Sequence, residues 1–267
     1  MINFTKMHGL GNDYVFVDCT NNKNFISNPS ILSKNISNRN FGIGSDGLVL
    51  IENSKNADFK MRIFNSDGSE AEMCGNGIRC VGKYVFDNKL TDKTSLKIET
   101  LAGIKELELK IKNNKVYSVT VCLGEYKVFD EFELNILDKT FNINPISVGN
   151  PHAIIFVNNL NDIDIIKYGP IIENHKIFSN KTNVEFVQII NSNHIKIKVW
   201  ERGSGITLAC DTGACASAVA AFNKKFIYKN PIVELPGGNL QTYIDEKTNL
   251  VYMFGTATTV YSGIYFD

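Results

Sequence analysis

Two cysteines of this 267-residue chain stand where a thiol can do chemistry: Cys74 in Cys74-Gly75-Asn76-Gly77, and Cys210 in Cys210-Asp211-Thr212-Gly213. Each Cys-x-x-Gly opens a stretch with helical spacing of small and apolar residues, so each thiol is predicted at a helix start. The first turn of a helix has backbone N–H groups without intrahelical partners, and its positive end attracts anions. The same end lowers a thiol pKa and makes a thiolate accessible near neutral pH. One such cysteine could be a nucleophile, a redox thiol or a small buried hydrophobe, the last being the commonest fate of a cytosolic Cys. Two of them, related by a pseudo-twofold axis and facing one cleft, imply a base on each side of a carbon. That arrangement removes a proton from one face and returns one to the other, which is racemisation or epimerisation.

The elements that must position these thiols are read from an internal repeat at an offset of 135 to 138 residues. Gly11-Asn12-Asp13 before Tyr14 to Val17 is matched by Gly149-Asn150-Pro151-His152 before Ala153 to Val157. Met61-Arg62-Ile63-Phe64 is matched by Ile197-Lys198-Val199-Trp200, and the two Cys-x-x-Gly stretches by each other. Glu99 to Gly103 aligns with Glu234 to Gly238, and Asn114 to Tyr117 with Asn249 to Tyr252. Five pairs in one order outweigh the weakness of any single pair.

Alternating, β-branched-rich runs such as Ser95 to Ile111 and Asn193 to Trp200 read as antiparallel strands. One helix per half begins at the Cys-x-x-Gly, with Ile78, Val81 and Val85 on one face in the first and Ala214, Ala218 and Phe222 in the second. The expected fold is α+β: two pseudo-symmetric domains, each a strand-rich, mostly antiparallel sheet wrapped around a central helix, with the active site in the cleft between them. The N-terminal half is 1–123, joined by a C-terminal strand, 256–267; the C-terminal half is 124–255. Ser27 to Arg39 reads as a surface helix, and Gly124 to Asn144 as a bridge between the copies.

Composition narrows the function classes. With 43% hydrophobic and 21% charged residues the chain can build a sizeable core, and it is too apolar for a disordered one. Lys+Arg and Asp+Glu both number 28, so no net field steers it to nucleic acid or an anionic membrane. The longest apolar runs, Leu48 to Ile51 and Ala153 to Val157, fall far short of the roughly 20 residues that span a bilayer. Met1 to Gly9 lacks the pattern of an export signal, so a soluble, cytoplasmic protein with a small-molecule partner is expected. In a reducing compartment the six cysteines do not form a disulfide framework. Cys74 and Cys80 are too far apart for zinc ligands, as are Cys210 and Cys215, and no His lies near either pair. No metal is therefore expected. Cys19, Cys80, Cys122 and Cys215 read as buried and inert. No Lys-centred pyridoxal site or Gly-rich phosphate loop is evident, so no cofactor is expected.

A longer set of motifs then comes into view: Met7 to Asp13, Gly42 to Gly47, Phe64 to Ser69, Met73 to Cys80, Gly149 to His152, Thr182 to Val184, Trp200 to Gly205 and Ala209 to Cys215. Together they resemble the diaminopimelate epimerases, a pyridoxal-phosphate-independent family of amino-acid epimerases, and they run through both halves in the family's order. The resemblance implies epimerisation of L,L- to meso-diaminopimelate, serving lysine and peptidoglycan precursor synthesis. It implies Cys74 and Cys210 as the two bases, one thiolate and one thiol, exchanging roles with direction. The α-carboxylate would sit on the backbone N–H groups of Gly75, Asn76, Asp211 and Thr212, and Asn12 would hold the reacting end. At the far end the implied partners are Arg202 for the carboxylate and Glu201 for the ammonium, with Asn65, Asn150 and Asn183 hydrogen-bonding around them. Adjacent strand residues point to opposite faces, so Glu201 and Arg202 both serve only if the chain bends there; Gly203 and Gly205 supply the bend. Without the motif, Glu201-Arg202 would read equally well as a solvated charged pair. The resemblance allows a homodimer.

Two positions depart from the family pattern. Position 47 is Gly where many relatives have a substrate-touching Gln, and position 211 is Asp where the second motif usually has Gly. The Asp211 carboxylate either raises the Cys210 thiol pKa or caps the helix and faces away. His152 invites a general-base reading, but an Asn-Pro-His turn more often positions backbone. Two alternatives remain at this stage. One is a same-fold racemase or epimerase of histidine or another diamino diacid; the other, from a different class, is a thiol-redox or zinc-binding protein.

Overall fold

The computed structural model describes residues 1–21 and 26–266. It divides into unit 1, Met1–Val121 with Gly255–Asp267, and unit 2, Cys122–Phe254. Unit 1 begins with an antiparallel hairpin of β1 (Ile2–Gly9) and β2 (Asn12–Asp18). α1 (Pro29–Ser37) then returns the chain so that β3 (Gly47–Glu52) lies parallel to β2. β4 (Phe59–Asn65) runs back along β3, with the short β5 (Glu70–Ala71) beside it. α2 (Gly75–Asp87) delivers β6 (Ser95–Thr100) parallel to β4, and β7 (Gly103–Lys112) and β8 (Lys115–Glu125) continue as an antiparallel meander. Parallel neighbours cannot be joined by a tight turn, so a helix stands at each parallel pair.

Unit 2 repeats this order. β9 (Lys127–Val128) and β10 (Phe132–Ile136) both pair with β11 (Lys139–Ser147). β12 (Pro151–Phe156) is antiparallel to β11 and parallel to β13 (Asn183–Asn191), with α3 (Ile165–Glu173) in the crossover. β14 (His194–Glu201) and β15 (Gly205–Ile206) lead to α4 (Asp211–Asn223), and β16 (Ile232–Leu235) lies parallel to β14. β17 (Gly238–Asp245) and β18 (Leu250–Gly255) complete the meander. The last strand, β19 (Thr258–Tyr265), pairs antiparallel with β1 in unit 1. The α+β class holds, with two parallel pairs in each otherwise antiparallel unit.

Burial follows from the layering. The central β2 and β3 are buried on both faces, with Val15, Val17, Leu48 and Leu50 packed against Leu32 and Ile36 of α1. They accordingly read as continuous apolar runs rather than alternating ones. In unit 2, Ile165, Tyr168 and Ile172 of α3 pack with Phe141, Val184 and Phe186. α2 and α4 lie on the other side of their sheets. α4 is buried from Gly213 to Ala221, not along one face as its spacing suggests, and Phe222 is only half-buried. Its alanines present no bulk, so the sheet closes around the whole helix.

Other expectations need correction. The surface helix is shorter than Ser27 to Arg39 and half-embedded: Asn28 caps it, and Leu32, Ser33, Ile36 and Ser37 are buried. Gly124 to Asn144 is no bridge, since β9, β10 and the start of β11 belong to the sheet structure of unit 2. The run Ser95 to Ile111 does form antiparallel strands, β6 and β7, turned at Leu101-Ala102.

Candidate active site

Each thiol is the residue that caps its helix. Cys74 has φ −139° and ψ 123°, and its sulfur accepts from Gly77 N–H at 3.4 Å. Cys210 has φ −125° and ψ 107°, and its sulfur accepts from Gly213 N–H at 3.4 Å. Sulfur replaces the usual Ser, Thr or Asp oxygen on the third-position N–H. The local repeat is therefore geometric as well as sequential, and Gly75, Asn76, Asp211 and Thr212 all lie in the first turns.

In unit 1 the Cys74 sulfur lies 3.4 Å from Asn12 Oδ1 as donor. The Asn12 amide is oriented from behind, because its Nδ2 donates to Asp46 Oδ2 at 2.8 Å, and Arg39 holds Asp46 Oδ1 at 3.0 Å. Tyr14, a residue the sequence did not single out, is hydrogen-bonded to the same sulfur. Burial pushes its phenol well above the ordinary range, and the charge of Cys74 adds to the shift. Asn65 closes β4 exposed, its Nδ2 on Ser69 Oγ at 3.0 Å. Asn76 faces inward, where its Oδ1 accepts from Arg79 Nη2 at 2.6 Å. It thus has a side-chain task besides the backbone one expected of it.

In unit 2 the Cys210 sulfur is 3.6 Å from Thr212 Oγ1, which accepts from Asn150 Nδ2 at 3.3 Å. Burial, and after it the Glu201 and Glu185 carboxylates, pushes the Cys210 thiol well above its ordinary range. The Thr212 hydroxyl and Gly213 N–H act in the opposite sense. Glu201, expected at the far end, thus bears on the Cys210 sulfur as well. Burial raises its own pKa, with the charges of Glu185 and Asp211 adding to the effect.

The bend after Glu201 is present. Gly203 has φ +77° and Gly205 φ +80°, conformations that favour glycine, so the strand breaks and Arg202 leaves its line. Two anchors hold the turn. Asn183 Oδ1 accepts from Arg202 N–H at 2.9 Å while its Nδ2 donates to Pro151 O at 2.9 Å. The buried Glu173 takes Trp200 Nε1 at 2.8 Å and Gly203 N–H at 3.0 Å. Asn183, expected around the substrate, is therefore engaged at both ends of its amide in holding the loop. The Arg202 guanidinium is exposed and touches the Asn180 carbonyl at 3.1 Å.

Gly47 has a packing reason. A Cβ there would stand 2.1 Å from the Phe64 carbonyl oxygen, a backbone atom that cannot swing aside. Gly47→Gln is expected to cost about 1–3 kcal/mol through forced overpacking, lowering Tm by roughly 3–10 °C. Thermal unfolding followed by circular dichroism measures it, and an unchanged Tm would show that β3 yields freely. Among the described residues, no three His, Cys, Asp or Glu side chains converge as metal ligands would.

Comparison with known proteins adds to this geometry. A sequence-family profile described as "Diaminopimelate epimerase" matches residues 4–129 and 145–260. A diaminopimelate epimerase of Methanococcus maripaludis is 52% identical over 274 aligned positions, covering 97% of this chain and 98% of that protein. One of Agathobacter rectalis is 47% identical, with 97% and 98% covered. Among solved structures, a PhzF-family phenazine biosynthesis protein of Bacillus anthracis superposes with a TM-score of 0.78 at 18% identity, covering 98% of each chain. A hydroxyproline epimerase of Agrobacterium vitis superposes at 0.74 and 12% identity, covering 98% of this chain and 90% of that one. These two share the fold.

Proposed function

This chain belongs to the diaminopimelate epimerase family, and on that premise we propose that it interconverts L,L- and meso-diaminopimelate with Cys74 and Cys210 as the two bases. The observation that carries the reading is the pair of matched thiol caps, each sulfur on the third N–H of its helix. One sulfur, as thiolate, takes the Cα proton. The electron pair left on Cα delocalises into the α-carboxylate, whose added charge is met by N–H groups of Gly75, Asn76, Asp211 and Thr212 at two helix starts. The other sulfur, as thiol, gives its proton to the opposite face. The two cysteines end with their protonation states exchanged, and no redox change or cofactor is needed.

Asn12 acts at the reacting end. Arg202 takes the distal carboxylate, supported by the turn that Asn183 and Glu173 hold. Glu201 takes an ammonium of the substrate, and Asn65 and Asn150 complete the hydrogen bonding. The enzyme works in the cytoplasm, where its thiols stay reduced, and supplies lysine and peptidoglycan synthesis. No helix among the described residues is long and apolar enough to cross a membrane. A homodimer is supported by the uncovered apolar side chains of β19, with Val260 and Ile264 about half exposed.

The test is proton exchange in D₂O. Dialysed, chelator-treated and reduced enzyme is expected to place one solvent deuterium at Cα of each diaminopimelate it inverts. Mild thiol oxidation should stop this exchange, and reductant should restore it. Exchange into histidine in preference to diaminopimelate would overturn the substrate assignment, and activity lost with chelator would overturn the cofactor-free mechanism.

A further inference from the structure

One of the buried differences between the two half-sites is a carboxylate. Glu185 on β13 is fully buried, and its Oε1 lies 2.8 Å from His152 Nδ1. Its Oε2 has no hydrogen-bond partner among the described residues. A carboxylate that deep normally gathers several donors or a cation, because desolvation is costly. Glu185 instead stands beside other acidic groups. The titratable groups around Cys210 are Glu185 on β13, Glu201 at the end of β14, His152 on β12 and Asp211 in the first turn of α4. Room for the carboxylate comes from Gly213, where a Cβ would meet Glu185 Oε1 at 2.6 Å and Cys210 Sγ at 3.2 Å. At the matching Gly77 a Cβ would meet nothing closer than 3.5 Å. The strand registers place Val49, paired with Ile63, where unit 2 has Glu185, paired with Val199.

From Glu185 a line of contacts runs to the sulfur. His152 Nε2 is 3.0 Å from Asn150 Oδ1, Asn150 Nδ2 is 3.3 Å from Thr212 Oγ1, and Thr212 Oγ1 is 3.6 Å from Cys210 Sγ. Each link fixes the next. Glu185 Oε1 at Nδ1 and Asn150 Oδ1 at Nε2 together fix the plane of the His152 ring, which holds the carbonyl end of the Asn150 amide toward it. The N–H end then faces Thr212, whose hydroxyl hydrogen is left to point at Cys210. Unit 1 is arranged the other way round. There the carboxylate of Asp46 holds the N–H end of Asn12, and the carbonyl end faces Cys74.

We propose that Glu185 is a positioning residue that makes the two cysteines chemically unequal, acting on Cys210 through His152, Asn150 and Thr212 and through its own buried charge. Cys210 is faced by the Thr212 hydroxyl, which Asn150 orients, and by the carboxylates of Glu201 and Glu185, while Cys74 is faced by the Asn12 carbonyl and the Tyr14 phenol. Sequence inspection passes over Glu185 because a lone Glu in an apolar strand carries no motif. The proposal rests on the two-base reading, but its test does not need turnover of any particular amino acid.

The experiment is alkylation of the substrate-free enzyme by iodoacetamide across a pH series, with Cys74 and Cys210 followed separately by peptide mass. In the wild type the two thiols are expected to show midpoints at least one pH unit apart. Glu185→Gln, nearly the same in shape but uncharged, should speed Cys210 alkylation at neutral pH about tenfold and leave Cys74 unchanged. Glu185→Asp keeps the charge but falls short of His152. It should leave the Cys210 midpoint near wild type, while kcat for diaminopimelate falls about tenfold at unchanged KM. Superimposable wild-type profiles for the two thiols would overturn the proposal even if neither variant folds. So would a folded Glu185→Gln enzyme with unaltered Cys210 reactivity. Failure of the two-base reading itself would appear elsewhere, as epimerisation surviving without a cysteine.

Discussion

Cys74→Ala and Cys210→Ala are each expected to abolish epimerisation, with a loss of at least about a thousandfold in kcat. A single positioned acid or base contributes about 10²–10⁴ to a proton-transfer step, and here removal and return happen on opposite faces, so neither cysteine substitutes for the other. The structure also predicts a cost in stability. Each sulfur caps a helix, and removing a cap costs about 1 kcal/mol. Ser retains the capping acceptor, so the Ser variants should keep the wild-type Tm and separate chemistry from folding. In D₂O, Cys→Ser enzymes should exchange Cα protons from the intact side far faster than they invert. The measurement is ¹H NMR of Cα exchange beside chiral chromatography of the product. An Ala variant that folds and inverts diaminopimelate at the wild-type rate would end the two-base reading.

Arg202→Lys is expected to strike substrate choice and spare the fold. The guanidinium is exposed, and the turn beneath it is held by its backbone N–H and by Gly203, neither of which changes. Tm should stay within about a degree. An ammonium cannot reproduce the two-pronged grip of a guanidinium on a carboxylate. Truncating such a partner costs about 2–5 kcal/mol, or roughly thirty- to several-thousand-fold in kcat/KM for diaminopimelate. The loss should vanish for a single-headed amino acid such as histidine, whose weak turnover gives the reference. Equal losses on both substrates would place Arg202 elsewhere than at a distal carboxylate.

What the sequence made legible was whatever repeats or punctuates. The two Cys-x-x-Gly stretches announced both helix starts, because glycine and small residues after a cap have few other readings, and the offset carried the strand order. The turn after Glu201 could be foreseen from Gly203 and Gly205. α3 was hidden by its own residues. Pro170 lies inside it and argues against helix, and Gly169 beside it reads as a breaker, although a Cβ there would meet the Trp200 indole at 2.6 Å. Residues supporting the site were harder still. Tyr14, Glu173 and Glu185 act through contacts with residues on other strands or helices, and no local pattern encodes a neighbour on another element, the Arg79 Nε bond to Thr256 O spanning 177 residues. Asn183 was found for its motif but its amide holds the Arg202 loop.

β19 ties the completion of unit 1 to the order in which the ribosome delivers the chain. Residues 1–121 emerge first, yet their β1 is an open edge until residues 258–265 arrive. At about 5–20 residues per second the edge waits roughly ten to thirty seconds while all of unit 2, contiguous in sequence, is made and can fold. The unit that starts first finishes last. In that interval β1 exposes unpaired backbone groups and the flank of Phe4, which β19 later covers with Tyr261 at a ring separation of 5.8 Å. An unpaired edge of this kind is a template for intermolecular pairing. Nascent chains stalled before residue 258 should therefore be the species that chaperones retain.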